Sequence, residues 1–112
     1  MRMRARVDDN QTEIVEKFRG MGFSVHITSN LGNGFPDIVV GKYGITVLVE
    51  IKDGAKPASR RKLTEDEERF HDSWRGAACV VECEQDCENL EQWLRDTYQN
   101  FVPPRDLSLI HI

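Results

Sequence analysis

The stretch from Phe35 to Lys52 constrains the fold of this chain more than any other. Two β-branched, apolar runs, Ile38-Val39-Val40 and Ile45-Thr46-Val47-Leu48-Val49, flank the Gly-bounded turn Gly41-Lys42-Tyr43-Gly44. That pattern predicts a β-hairpin. Side chains two apart on a strand share a face, so Glu50 and Lys52 point one way while Val49 and Ile51 point the other, toward a core. Charges at the end of so apolar a strand are costly unless they are paired, bind a metal or meet water. Pro36 fixes its own φ and has no N–H, which suits the first residue of a strand and holds Asp37 at the rim of the sheet.

Pro-Asp followed a dozen residues later by Glu-x-Lys is a spacing that metal-assisted phosphodiester hydrolysis can use. Asp37 and Glu50 would supply hard oxygen ligands to Mg²⁺, which keeps several waters and takes only one or two carboxylates from protein. The backbone carbonyl of Ile51 is a third candidate ligand. Lys52 would orient the nucleophile and stabilise negative charge growing on the phosphate. An Asp that caps a turn and a Glu–Lys pair at a frayed strand end would have the same spelling.

Longer motifs follow in a set order: Asn10-Gln11-Thr12-Glu13-Ile14-Val15, Gly34-Phe35-Pro36-Asp37-Ile38-Val39-Val40-Gly41, Glu50-Ile51-Lys52-Asp53-Gly54, and Lys62-Leu63-Thr64-Glu65-Asp66-Glu67 with His71 and Trp74 after it. In these the chain resembles the PD-(D/E)XK nuclease superfamily, and within it the stand-alone, phage-type VRR-NUC (virus-type replication–repair nuclease) domains. The resemblance runs from about Asn10 through Trp74 and more weakly to about Trp93. It implies a restriction-endonuclease-like fold and Mg²⁺-dependent cleavage of DNA to 5′-phosphate ends, with Mn²⁺ as a substitute. It further implies branched DNA such as a four-way (Holliday) junction as substrate, with flap or restriction-type cleavage next in order, and a homodimer as the active unit. The same resemblance makes Glu13 a helix-borne carboxylate that completes the metal site, directly or through water; on spacing alone it is an exposed helix acid. Many relatives carry Gln where this chain has Glu67. A DNA-binding or assembly module that keeps the fold without turnover is the alternative from another class.

With 112 residues, the chain is read as one domain, long enough to bury roughly two thirds of its unfolded surface. It has no apolar run that could span a membrane and no signal-like segment after Met1, so a cytoplasmic protein is expected, in the host cytoplasm if phage-encoded. A net charge of −4 argues against a generic nucleic-acid coat. The charge is uneven, however: Lys52, Lys56, Arg60, Arg61 and Lys62 crowd around the single acid Asp53, whereas Glu82 to Asp96 is strongly acidic. One face can attract a polyanion while the other repels it. Cys79, Cys83 and Cys87 are odd in number and would not converge on a metal from a strand and a helix, so they are read as reduced and structural.

Residues 1–8 read as a basic arm. A helix is expected from Asp9 to Arg19, capped by Asp8, Asp9 or Asn10, with Ile14, Val15 and Phe18 buried. Phe23 to Thr28 alternates as a first strand, with His26 at the surface or satisfied in the core, and Ser29 to Gly34 forms a loop from which Ser29 or Asn30 could touch a phosphate. The run from Asp53 to Lys62 reads as a loop whose Lys56, Arg60, Arg61 and Lys62 contact DNA. Thr64 and Glu67 have capping-box spacing and open a helix to about Arg75, with Phe70 and Trp74 as its core stripe and His71 beside it. Ala77 to Val81 is expected as a fully buried strand. A last helix from Glu84 to about Thr97 packs Leu90, Trp93 and Leu94, and residues 101–112 form an apolar tail that could mediate pairing. The order α-β-β-β-α-β-α predicts an α/β domain with a mixed central sheet flanked by helices.

Overall fold

A computed structural model describes residues 8–100, so the basic arm except Asp8, and the apolar tail, lie outside the described residues. The elements follow in the order α1 (Gln11–Gly20), β1 (Ser24–Ile27), β2 (Ile38–Lys42), β3 (Ile45–Ile51), a 3₁₀ turn (Ala58–Arg60), α2 (Glu65–Ser73), β4 (Ala78–Val81) and α3 (Glu84–Asn100). They make a small α/β domain with a mixed four-stranded sheet ordered β1-β2-β3-β4. The first two pairings are antiparallel and β3–β4 is parallel. No helix among the described residues is long and apolar enough to cross a membrane.

The expected hairpin is β2–β3. Its two turn residues, Tyr43 and Gly44, both have positive φ (56° and 75°), as a two-residue turn matched to the twist of the strands requires. Val47, Val49 and Ile51 alternate into the core, where they join Ile38, Val40, Val81, Cys87, Leu94 and the α1 residues Ile14, Val15 and Phe18. The three expected core positions of α1 are therefore correct. At the turn end, Glu91 of α3 accepts from Lys42, Tyr43 and Arg95, fastening the hairpin to α3.

Four expectations need correction. β4 is not fully buried: it is an edge strand with Val80 exposed, Cys79 half-buried against the core and only Val81 fully buried. α2 stops at Ser73 because Trp74 turns to extended backbone (φ −71°, ψ 129°). Phe70 is half-buried and Trp74 is 44% exposed, so they pack with Phe35 in a separate aromatic cluster. On α3 the inward stripe is Cys87, Glu91 and Leu94, with Leu90 half-buried, which rotates Trp93 outward.

All three cysteines are free, as expected. Burial, aided by the Asp86 charge, pushes the Cys79 thiol up to about 11 and the Cys87 thiol to about 12, so both stay protonated.

The loop before β2 is docked on α2 through Gly34. Its φ is +81°, and a Cβ there would lie 2.3 Å from the Asp66 carbonyl oxygen and 2.8 Å from the Glu67 nitrogen. No side chain fits this approach. Gly34→Ala is expected to lower unfolding stability by more than about 1 kcal/mol, whereas Gly20→Ala, with nothing within 4 Å, should not lower it. Urea midpoints of the two variants test the difference.

Candidate functional site

The pairing register builds the site. Ile38 lies opposite Val49 in the antiparallel ladder, so the next pair outward is Asp37 and Glu50, whose side chains leave the same face of the sheet. Lys52 follows two residues on. The Asp37 carboxylate is fixed by the Ile51 N–H, which donates to Oδ2 at 2.7 Å. Its carbonyl accepts from Thr28 N–H at 2.8 Å, and the Thr28 hydroxyl donates to Pro36 O at 2.7 Å. Asp37, Glu50 and Lys52 are all buried, at 8%, 3% and 8% exposure. They are covered at the end of the sheet, which argues against a frayed strand end.

A fourth group completes the cluster. Glu67 Oε1 accepts from Lys52 Nζ at 2.8 Å and from Thr64 N–H at 2.8 Å, while the Thr64 hydroxyl accepts from Glu67 N–H. The capping box is thus present, and its carboxylate does double service as the partner of Lys52. Lys52 Nζ stands farther from Glu50, at 3.9 Å. Sequence reading placed Glu67 in the capping box but gave it no part in the site; its signal was the same Thr64-x-x-Glu67 spacing, which marks a carboxylate held at a helix start.

Charge crowding sets the protonation of the group. Burial raises Asp37 above its ordinary value, with the Glu67 charge adding to it against the hydrogen bond with Glu50, the Ile51 N–H and Lys52. Glu50 is pushed up to about 10 by burial, by Asp37 and then by Glu67. Burial alone would lower Lys52, but the Glu67 hydrogen bond and the Glu67 and Glu50 charges outweigh it and hold the ammonium above its ordinary value. Burial would raise Glu67, yet Lys52 and the Thr64 N–H keep it low. The cluster therefore holds one firm ion pair, Lys52–Glu67, and two carboxyl groups, Asp37 and Glu50, that are hydrogen-bonded to each other and lack a close cation of their own among the described residues.

The other predicted residues fall into different places. Glu13 is exposed on α1, because Gln11, Ile14, Val15 and Phe18 form the buried stripe and a position two after Gln11 lies nearly opposite it. It is not brought to Asp37 and Glu50. Its neighbours Asn10 and Gln11 turn inward instead: Asn10 Nδ2 donates to the Lys52 and Glu82 carbonyls at 3.1 and 3.2 Å, and Gln11 Nε2 reaches Ser29 Oγ at 3.4 Å. Asn10 thus ties α1 to the end of β3 and makes no side-chain cap. Ser29 is buried and Asn30 exposed. His26 is exposed; His71 is half-buried, and its Nε2 has no partner among the described residues. Ile51 ends β3, its side chain buried and its N–H engaged by Asp37. In the basic loop, Lys56 pairs with Asp8 at 3.5 Å and Arg61 with Glu82 at 3.2 Å. Arg60 and Lys62 are exposed and have no ion pair among the described residues.

Asp37 and Glu50 offer adjacent hard oxygen donors. Among the described residues no group of three or more His, Cys, Asp or Glu side chains is arranged to cage a metal ion. A cation that keeps most of its waters needs only two carboxylates, so this donor set fits Mg²⁺ and does not fit a metal that demands an all-protein shell. Comparison with protein-family models, with curated proteins and with solved structures finds no match in any of the three.

An acid whose folded pKa lies above its unfolded value binds its proton more tightly when folded, so its contribution to stability falls as pH rises from the ordinary Glu range toward about 10. Gln imitates the protonated acid at every pH. In EDTA, Glu50→Gln is expected to raise the melting temperature by a few degrees at pH 8, about the scale of 1 kcal/mol, and to gain little at pH 4. Melting curves at the two pH values check this; equal gains would remove the titration of Glu50 as the cause.

Proposed function

We propose that the chain is a Mg²⁺-dependent endodeoxyribonuclease of the PD-(D/E)XK kind, with the restriction-endonuclease-like arrangement and Mn²⁺ able to substitute. The single observation that carries the reading is the buried juxtaposition of Asp37, Glu50 and Lys52 at one end of β2 and β3. A structural ion pair needs one acid for one lysine. Here a second acid, Glu50, stands 3.9 Å from the same ammonium and a third, Asp37, is buried opposite Glu50 at the start of the next strand, and a binding module gains nothing from carboxylates that repel phosphate.

Asp37 and Glu50 are the residues that would hold the cation. A bound divalent cation supplies Lewis acidity toward the scissile phosphate and the attacking water. Lys52, kept charged by Glu67, is the donor available for negative charge that develops on the phosphate. Burial of Lys52 strengthens that interaction, since little water competes there. Arg60 and Lys62, whose charges are free of ion pairs among the described residues, are the cations best able to meet a phosphate backbone. For substrate we favour branched DNA, with the four-way junction first and flap or restriction-type cleavage second. Two symmetry-related strands of a junction need two sites, which favours a homodimer as the active unit.

Cleavage of labelled junction, flap and blunt duplex DNA tests the reading. Mg²⁺ or Mn²⁺ should support it, EDTA abolish it, and Ca²⁺ allow binding with little turnover. Lys52→Ala should lower the single-turnover rate roughly 10²–10³-fold while leaving most of the DNA affinity. Cleavage that survives thorough chelation, or is indifferent to Asp37→Ala, would defeat the assignment. A chain that sediments as a monomer on the junction and cuts one strand only would leave the flap reading in place of the resolvase.

The ion pairs in the basic loop sharpen a second expectation. Replacing Arg60 and Lys62 together with Ala should flatten the salt dependence of DNA binding by about 0.9 in slope for each phosphate that is no longer neutralised. Arg61→Ala removes a charge already held by Glu82 and should change the slope less. Binding measured from low to moderate salt distinguishes the two.

A further inference from the structure

Three aromatic rings run outward from the acidic cluster. Phe35 lies two residues before Asp37, and Phe70 lies one helical turn after Glu67. Their rings meet edge to face with centroids 5.2 Å apart. Trp74 then stacks on Phe70, at 5.3 Å and an interplanar angle of 17°. From Glu67 to Trp74 the chain advances about 10 Å at helical rise. The end of the row is open: Trp74 remains 44% exposed. Its indole lies against Gly76, where a Cβ would stand 2.8 Å from Nε1, so glycine is what lets the ring stack on Phe70 in this position.

The geometry points to Trp74, backed by Phe70 and Phe35, as a stacking platform for one unpaired nucleobase beside the phosphate that would be cut at Lys52 and a cation on Asp37 and Glu50. This rests on the nuclease reading and narrows it. The substrate class is DNA with an unpaired or splayed nucleotide next to the cut, such as a fork, flap or open junction centre, in preference to continuous duplex. Charge separates the two. Glu65, Glu68 and Asp72 are exposed on α2, so a duplex laid along the helix would press its phosphates against acids. Stacking of a base on an aromatic face tolerates any sequence and can engage a single nucleotide, so it brings fewer phosphates against these acids than a duplex along the helix would. Arg75, exposed beside Trp74 and without an ion pair among the described residues, is placed to take the phosphate of the stacked nucleotide.

The test uses the full chain carrying Trp93→Phe, which leaves Trp74 as its sole tryptophan. In Ca²⁺, a forked DNA should quench Trp74 fluorescence and a blunt duplex of the same sequence should not. Trp74→Ala should cost about tenfold or more in affinity for the fork and less than twofold for the duplex, with Trp74→Phe restoring most of the loss and circular dichroism unchanged. Equal losses on both DNAs, absent quenching, or a Trp74-dependent dimer without DNA would overturn the platform. Cleavage in Mg²⁺ separates the two readings. Quenching by the fork with no cleavage of any DNA keeps the platform and sinks the nuclease. Equal cutting of fork and duplex by wild type and Trp74→Ala sinks the platform and keeps the nuclease.

Discussion

An ammonium buried against carboxylates at the end of a central strand is the constraint on which the site depends. Glu50, on the face of β3 opposite the core, and Lys52, just past the end of the strand, are both almost closed to solvent. An unpaired buried charge destabilises a protein by several kcal/mol, so the surroundings must supply partners. Lys52 takes Glu67, and Asp37 takes the Ile51 N–H. Three carboxyl groups then face one ammonium, and full ionisation would leave two negative charges uncompensated. A proton on Glu50 relieves part of that. A divalent cation would relieve more, without removing either carboxylate from its charged form.

Much of this was legible in the sequence because strand geometry is local. Period-two alternation put Glu50 and Lys52 on one face, and the turn residues fixed a register that brings Asp37 opposite Glu50. The capping box of α2 and the buried positions of α1 follow equally from spacing. Helix orientation was less legible. Trp74 and Trp93 are large and apolar, so pattern reading draws them inward, but one lies just past a helix end and the other is on the outer side of a stripe centred on Cys87 and Leu94. Glu13 is the opposite lesson. The Gln11-Ile14-Val15-Phe18 spacing already turns it away from the sheet, and only resemblance to a family drew it toward the metal site.

The long-range contacts could not be read locally at all. Asn10 looks like a helix cap and instead bridges the carbonyls of Lys52 and Glu82. Arg61 and Lys56 look like free cations in a basic loop and instead pair with Glu82 and Asp8. In both cases the residue type fits the nearby backbone, and the partner comes from a distant segment that folding brings alongside. The useful basic surface is consequently smaller than the sequence count, and it is concentrated at Arg60 and Lys62.

The two faces of β3 divide the work of the domain. Val47, Val49 and Ile51 are at most 2% exposed, and full burial of such side chains contributes roughly 1.5–3 kcal/mol each. That is the same order as the cost of holding Glu50 and Lys52 on the opposite face. The sheet can therefore carry a strained, charged end because its other side is packed by α1 and α3. The charged end is closed by thinner means: one glycine approach at Gly34, one capping box and one aromatic row. Substitutions in the α1–α3 layer should consequently act on stability first, whereas those in α2 and the loop before β2 act on the geometry of Lys52 and Asp37 before the fold itself gives way.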